Sequence, residues 1–331
     1  MIAVPRVELA TTADLEALMR LRVEQGWHRS DPLLHAIVDW ERGRLFIIRE
    51  AALDPTSATP DAPIVATSAI AAGSTGVIGN VVVRADYRRR GLGRVIMQAA
   101  LDWLRDAGMR SVLLDATVDG RPLYTRLGFV GDKTSWFAHA PITELNRTLL
   151  VTRSGSIHAV TAGVPATDAL ARLASLDAAA FGGDRLGLLA LLRQPTTWLY
   201  IAEDATGAPT GYAMLSLVES PDRGIHLGPW VAAGYHSAAA LLAAILREDA
   251  PWRPLLGDVA ETGAELFFSL PGTNRHALDL ISDAGGHLVE DDLIMQLDFD
   301  VAGTPTPATE PRRRVATRPD WLYGWLAPMV F

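Results

Sequence analysis

None of the 331 residues is cysteine. That absence excludes disulfides, thiolate metal sites and cysteine nucleophiles together, and it fits a reducing compartment. Lysine is nearly absent as well: Lys133 stands alone, and every other basic residue is arginine. No apolar run approaches the ~20 residues that a membrane span needs; Ala238 to Leu246 is far too short. The opening stretch MIAVPRVELATTADLEALM lacks a basic start followed by an apolar core. No signal peptide is therefore expected, and the cytoplasm is the expected compartment. An excess of positive charge is missing too, since the formal net charge is −8 and the pI about 5.5. No broad basic field exists to attract a nucleic acid backbone. The local run Arg88-Arg89-Arg90 can still hold a small anion.

Several chemical signatures are also absent. The eight histidines, at positions 28, 35, 139, 158, 226, 236, 276 and 287, form neither H-x-H nor H-E-x-x-H, so no metal is expected. No G-x-S-x-G marks a serine hydrolase. No G-x-x-x-x-G-K-[ST] marks a Walker A loop, because the single lysine sits in Gly131-Asp132-Lys133-Thr134. The acidic run Glu290-Asp291-Asp292 reads as a solvated turn before a strand.

What is present is an ordinary folded composition, 49% hydrophobic and 21% charged, and a length suited to about two domains at roughly 150 residues each. Apolar spacing predicts helices at 12–23 (with Thr11 or Thr12 as cap), 32–40, 91–107 and 120–127. It predicts strands at 44–49, 64–71, 76–84, 112–116 and 129–138. A further strand is expected at 6–9, and Gly108 fits the residue after a helix end. The second half repeats this order: strands at 157–161, 198–203, 211–218, 224–231, 265–270 and 287–299, and helices at 167–180, 185–193, 237–247 and 274–284. The expected boundary lies near Leu145 to Ser156, where RSGS reads as a linker. Residues 301–319 read as a surface loop, and the aromatic stretch Trp321 to Trp325 is too apolar to float free.

One stretch carries chemistry. The strand Val81-Val82-Val83 leads through Arg84-Ala85-Asp86-Tyr87 into Arg88-Arg89-Arg90-Gly91-Leu92-Gly93-Arg94, which opens a helix. Two glycines admit a ligand close to the backbone, and the first turn of a helix offers unpaired N–H groups and partial positive charge. Together they form a socket for a pyrophosphate. A Rossmann fingerprint fails here, because Ile96 stands where a third small residue is needed.

The pattern R-x-x-G-x-G on Arg88, Gly91 and Gly93 resembles motif A of the GNAT acetyltransferases. Leu114-Asp115-Ala116-Thr117, then Gly120-Arg121-Pro122-Leu123-Tyr124, then Leu127-Gly128-Phe129 resemble the motif B end of the same family. With Gly26-Trp27 and the second half, the chain is similar to bacterial tandem GNAT proteins. The resemblance implies an α/β (α+β) fold class: two tandem GNAT folds, each a mixed central sheet flanked by helices, at 1–145 and 157–331. It implies acetyl-CoA as co-substrate, bound by Val81, Val82, Val83, Arg88, Arg89, Arg90, Gly91, Leu92, Gly93 and Arg94. An N–H near Val82 would polarise the thioester, and Tyr124 would be the general acid. The base is less determined: Ser74 to Val83 has no carboxylate, and Asp115 is the candidate beside His28 and His35 in the acceptor-side helices. A water relay is an alternative. The implied acceptor is a small-molecule or peptide amine, with neither nucleic acid nor membrane as partner and a homodimer allowed. The rival readings are a non-catalytic CoA-binding scaffold and an enzyme for a longer acyl-CoA. In the second half, Ala233-Gly234-Tyr235-His236-Ser237-Ala238 replaces the arginine–glycine motif. That half is therefore expected to shape or support the first rather than bind CoA, with Ser237 as a helix cap.

Overall fold

The computed structural model describes residues 5–27, 32–54, 56–153, 159–163, 167–181, 184–192, 196–218, 224–256, 264–300, 304–306, 320 and 322–324. In chain order the elements run β1 (Glu8–Leu9), α1 (Leu15–Val23), α2 (Pro32–Ile37), β2 (Gly43–Arg49), β3 (Pro63–Ala72), β4 (Thr75–Val83), α3 (Leu92–Asp106), β5 (Ser111–Ala116), α4 (Arg121–Arg126), β6 (Val130–Pro141) and α5 (Arg147–Arg153). They continue with β7 (Ala159–Gly163), α6 (Thr167–Phe181), α7 (Leu186–Leu191), β8 (Thr197–Glu203), β9 (Pro209–Val218), β10 (Gly224–Ala232), α8 (Tyr235–Ile245), β11 (Glu265–Pro271), α9 (Arg275–Asp283), β12 (His287–Phe299), β13 (Pro305–Thr306) and β14 (Leu322–Gly324).

The chain folds as two compact units. One holds residues 1–132, 293–312 and 329–331; the other holds 133–292 and 313–328. The units are not contiguous in sequence, so no single cut near 145–157 separates them. In the first unit β1, β2, β3 and β4 pair antiparallel in that order, β5 lies parallel to β4, and the end of β12 pairs antiparallel with β5. In the second, β7, β8, β9 and β10 pair antiparallel, β11 lies parallel to β10, and β6 pairs antiparallel with β11. The strand closing each sheet thus comes from the other half of the sequence.

Amphipathic α3 shows why the first unit holds together. Leu92, Ile96, Met97, Ala100, Leu101 and Leu104 fall on one face and are buried against Val65, Ala69 and Ile78 of the sheet. The helix stops at Gly108, whose φ of +79° suits glycine. The amide of Met109 there donates to Leu104 O at 3.0 Å. At the start of the fold, Thr11 and Asp14 bond reciprocally: the Thr11 N–H and hydroxyl both donate to the Asp14 carboxylate, at 2.9 and 3.0 Å, and the Asp14 N–H donates back to Thr11 O at 3.0 Å. Arg22 on α1 is buried, with its guanidinium 5.7 Å from the Trp27 ring centre.

Residues 147–153, for which no element is expected, form α5; Leu150 is fully buried and the helix lies on α8, while Ser154 to Ser156 of the expected linker lie outside the described residues. The cover from α5 explains why α8 is apolar almost all round, unlike the one-sided α3. Two expectations need correction, at Ser237 and at Glu290 to Asp292. Ser237 lies inside α8 and donates to Thr210 Oγ1 at 3.0 Å, while Gly234 is the cap. Glu290, Asp291 and Asp292 fall within β12, and Asp292 is buried. The loop expected at 301–319 lies outside the described residues except for 304–306, as does His28. Among the described residues no helix is long and apolar enough to cross a membrane.

Candidate functional site

Strands β4 and β5 begin side by side and then part. Their parallel pairing covers only Thr75–Val77 against Ser111–Leu113. The parting coincides with a bulge in β4. Its register against β3 slips by one residue between Ala66 and Ser68, where Asn80 sits at φ +54°. Asparagine tolerates this left-handed conformation better than most residues. Its amide donates to Ser68 Oγ at 3.2 Å, which braces the bulge.

Beyond the bulge, the Arg84 N–H donates to Ile64 O at 2.8 Å, and Val82 pairs with Ala66. Along a strand, alternate residues direct their amides to the same neighbour. The amides of Arg84 and Val82 therefore face β3, and those of Val81 and Val83 face the opening toward β5. The Val82 N–H thus faces β3 and not the opening, whereas those of Val81 and Val83 face the opening.

Residues 84–91 connect β4 to α3. Gly91 caps the helix at φ +81°, and a Cβ there would meet nothing within 4 Å. Arg89 also takes positive φ, +63°. These turns present a row of amides: among the described residues no acceptor takes the N–H of Arg89, Arg90, Gly91, Leu92 or Gly93. At Gly93 a Cβ would lie 3.1 Å from Leu123 Cδ2 and 3.8 Å from Val83 Cγ2. Gly93 thus lets the head of α3 close on both the end of β4 and the residue preceding Tyr124.

The arginines divide. Arg88 donates to Val83 O at 3.1 Å and also to Gln25. Arg90 donates to Asp86 O at 3.0 Å and stacks 4.8 Å from the Tyr87 ring centre. Both brace the loop. The side chains of Arg89 and Arg94 are exposed and make no hydrogen bond or ion pair among the described residues. Their charge is available to an anion.

A buried network unannounced by any motif holds this loop. Glu50, just after β2, accepts from Arg84 Nη2, the Tyr87 hydroxyl and the Thr59 hydroxyl, each at 2.6 Å. Arg84 also donates to Asp86 at 2.9 Å and lies 4.6 Å from the Tyr87 ring centre. These hydrogen bonds, that from Arg84 foremost, hold the Glu50 carboxyl down at about 2. The hydrogen bond that the Tyr87 hydroxyl donates to Glu50 raises that phenol above its ordinary value.

Tyr124 is buried in the α3-side core, edge-on to Phe129 at 6.1 Å between ring centres. Gly120 gives its ring room, since a Cβ there would lie 2.7 Å from Tyr124 Cε2. Asp115 is placed otherwise. Its strand neighbours Leu114 and Ala116 belong to the α3-side core, so alternation puts Asp115 on the opposite face of the sheet. The structure therefore brings Val83, Gly93 and Leu123 together at the head of α3, beside the amides of residues 89–93, with Tyr124 next in the chain after Leu123, and sets Asp115 on the opposite face of the sheet from the core that holds Tyr124. His35 is exposed on α2. Among the described residues no group of three or more His, Asp or Glu could hold a metal ion.

This opened strand pair beside an amide-rich helix start agrees with the family comparisons. A model described as the acetyltransferase (GNAT) family matches residues 14–129, and one described as an acetyltransferase (GNAT) domain matches 173–301. The chain belongs to the GNAT acetyltransferase family. This GNAT chain is 31% identical over 170 residues to the uncharacterized N-acetyltransferase YitH of Bacillus subtilis, a match covering 50% of the chain and 54% of YitH. The chain thus spans about half the length of that curated relative. Its fold is similar to a candidate acetyltransferase from Pyrococcus horikoshii, with a TM-score of 0.67, 19% identity and coverage of 99% and 96% of the two chains. A tandem GNAT protein from the clavulanic acid biosynthesis pathway aligns with a TM-score of 0.60 at 11% identity over 88% and 98%. Tandem GNAT architecture therefore covers both units.

Proposed function

We propose that the first unit transfers an acetyl group from acetyl-CoA to an amine. The observation carrying this reading is the row of amides at residues 89–93 opening onto the gap where β4 leaves β5. Diphosphate needs such a cradle of N–H groups at a helix start. Gly91, with nothing within 4 Å of its Cβ position, leaves room for it. Arg89 and Arg94 add unspent charge, while Arg88, Arg90 and Leu92 serve by shaping the loop. Val81 and Val83 turn their amides into the gap, suited to pair with the extended arm of the co-substrate and to polarise a thioester carbonyl. Acetyl-CoA, when bound, supplies an activated acyl group.

The chain's own residues then move the protons. Tyr124 donates its phenolic proton to the departing sulfur, and its burial beside Gly120 and Phe129 keeps water from that proton. Asp115 takes the proton of the incoming amine, directly or through water, from the opposite face of the sheet. This assigns the two transfers to the two sides of the opening. The amine is a small molecule or a peptide terminus. The cytoplasm is the compartment in which acetyl-CoA and such amines meet.

Thiol release from acetyl-CoA over a panel of amines tests the proposal, with Tyr124→Phe in parallel. Amine-dependent release by the native chain that falls in Tyr124→Phe supports it. CoA binding without turnover on any amine overturns the catalytic reading in favour of a scaffold. Faster turnover of a longer acyl thioester would replace acetyl as the donor.

A further inference from the structure

The second unit repeats the geometry of the opening in detail. Its parallel pair β10 and β11 is joined only over Gly224–His226 against Glu265–Phe267, then separates. Its β10 slips by one residue against β9 between Leu227 and Trp230, around the cis Gly228–Pro229 bond. The Ala233 N–H donates to Thr210 O at 2.8 Å, and Val231 pairs with Tyr212. Alternation then turns the amides of Trp230 and Ala232 into the gap toward β11. Trp230 and Ala232 are to this unit what Val81 and Val83 are to the first.

The two gaps differ in what lies in them. Strand β14, residues 322–324, pairs antiparallel with β10, setting Gly324 opposite Trp230 and Leu322 opposite Val231. It also lies against β11. Its approach is fixed at Asp320, whose carbonyl accepts from Asn274 Nδ2 at 3.0 Å; Asn274 caps α9 through a bond from the Ala277 N–H at 3.1 Å. The cradle is missing as well. Only Ala233 and Gly234 stand between β10 and α8, where residues 84–91 stand in the first unit.

We infer that the gap between β10 and β11 is a strand-binding slot whose occupant is the chain's own segment 322–324, so that the second unit is closed to CoA from within. An open strand edge is a row of unpaired donors and acceptors, and covering it with a short strand satisfies those groups. In this reading β14 takes the place that the extended arm of CoA takes along β4. The comparison with CoA rests on the proposed function; the occupation of the slot does not.

Hydrogen exchange in the full-length chain tests this, comparing the native protein with Leu322→Pro/Gly324→Pro, which removes two backbone donors of β14. In the native protein the amides of Trp230 and Ala232 should be protected without ligand. In the variant they should exchange at least about tenfold faster, with Tyr212 and Val231 unchanged. A synthetic peptide of residues 318–326 should restore the protection. Equal exchange at Trp230 and Ala232 in both proteins overturns the inference. A second measurement needs only the native chain: added CoA should protect Val81 and Val83 and leave Trp230 and Ala232 as they were. New protection at Trp230 and Ala232 would make the slot a CoA site and overturn the inference. If CoA protects neither strand, the proposed function fails while the comparison with the proline variant still decides the slot.

Discussion

Replacing Glu50 with alanine probes how the anion cradle is held without touching it. Glu50 accepts short hydrogen bonds from Arg84, Tyr87 and Thr59, and its side chain is only 8% exposed. Removing the carboxylate leaves a guanidinium and two hydroxyls without that partner. Breaking one side of a buried, hydrogen-bonded charge pair costs about 3–5 kcal/mol. An independent figure comes from the carboxyl's fall from 4.5 to about 2. At 1.36 kcal/mol per unit that corresponds to about 3 kcal/mol as an upper value. We expect a loss of about 3 kcal/mol in the first unit and a melting transition lower by about 10 °C. Because the folded value is depressed, the stabilisation is complete above about pH 4.5 and is lost as pH falls toward 2. Acid unfolding of the native chain should therefore steepen in that window, and that of Glu50→Ala should not. Loosening Arg84 and Tyr87 also frees the turn that aims the amides of residues 89–93. Affinity for CoA should drop about tenfold, the usual scale for lost preorganisation of a site. S-acetylpantetheine has no diphosphate, so its turnover should change little. Calorimetry of both proteins and titration with CoA make the measurement. A Glu50→Ala protein that melts within about 1 °C of native and binds CoA equally well would refute the reasoning.

Three other perturbations separate the parts. Gly91→Val places a side chain at φ +81°, costing about 1–2 kcal/mol, but meets no neighbouring atom. The fold should survive with CoA binding lost, and unchanged affinity would show that the diphosphate lies elsewhere. Tyr124→Phe should lower kcat about 10²- to 10⁴-fold with little change in KM for acetyl-CoA, as expected for a general acid; an unaltered kcat would leave Tyr124 a packing residue. Asp177→Asn removes the charge facing Arg185 in the second unit, where both side chains are fully buried and bonded at 2.8 Å. It should cost about 3–5 kcal/mol in thermal or urea unfolding and leave CoA affinity in the first unit unchanged.

The sites differ in how far the sequence carried them. The strand–glycine–helix signal at Val81 to Arg94 is local, because caps, turns and helix starts are formed by neighbours in the chain. The pairing of Arg88, Gly91 and Gly93 with Tyr124 was legible for the same reason, as two short motifs. Asn80 belongs to no motif, yet Gly79-Asn80 inside a strand is a bulge signal, and beyond that bulge the Val81 and Val83 amides face the gap. Glu50 had no comparable signal. It lies 34 residues before Arg84, and only the fold brings the two together. Helix α5 carries no sequence signal because RTLLVTR is too short to show a period, and its burial comes from α8.

By itself the sequence determined the order of strands and helices apart from α5, β13 and β14, the family, and the asymmetry between a half with Arg88 to Gly93 and a half with Ala233 to Ala238. These follow from periodicity, glycine placement and charge, which act over a few residues. Tertiary structure alone decided which strand closes which sheet. Residues 136–141 and 293–297 are both short runs with several apolar residues, and backbone hydrogen bonds do not distinguish one sheet edge from another. It also decided the fate of residues 322–324, because a strand's partner is set by which edge is left open once everything else has packed.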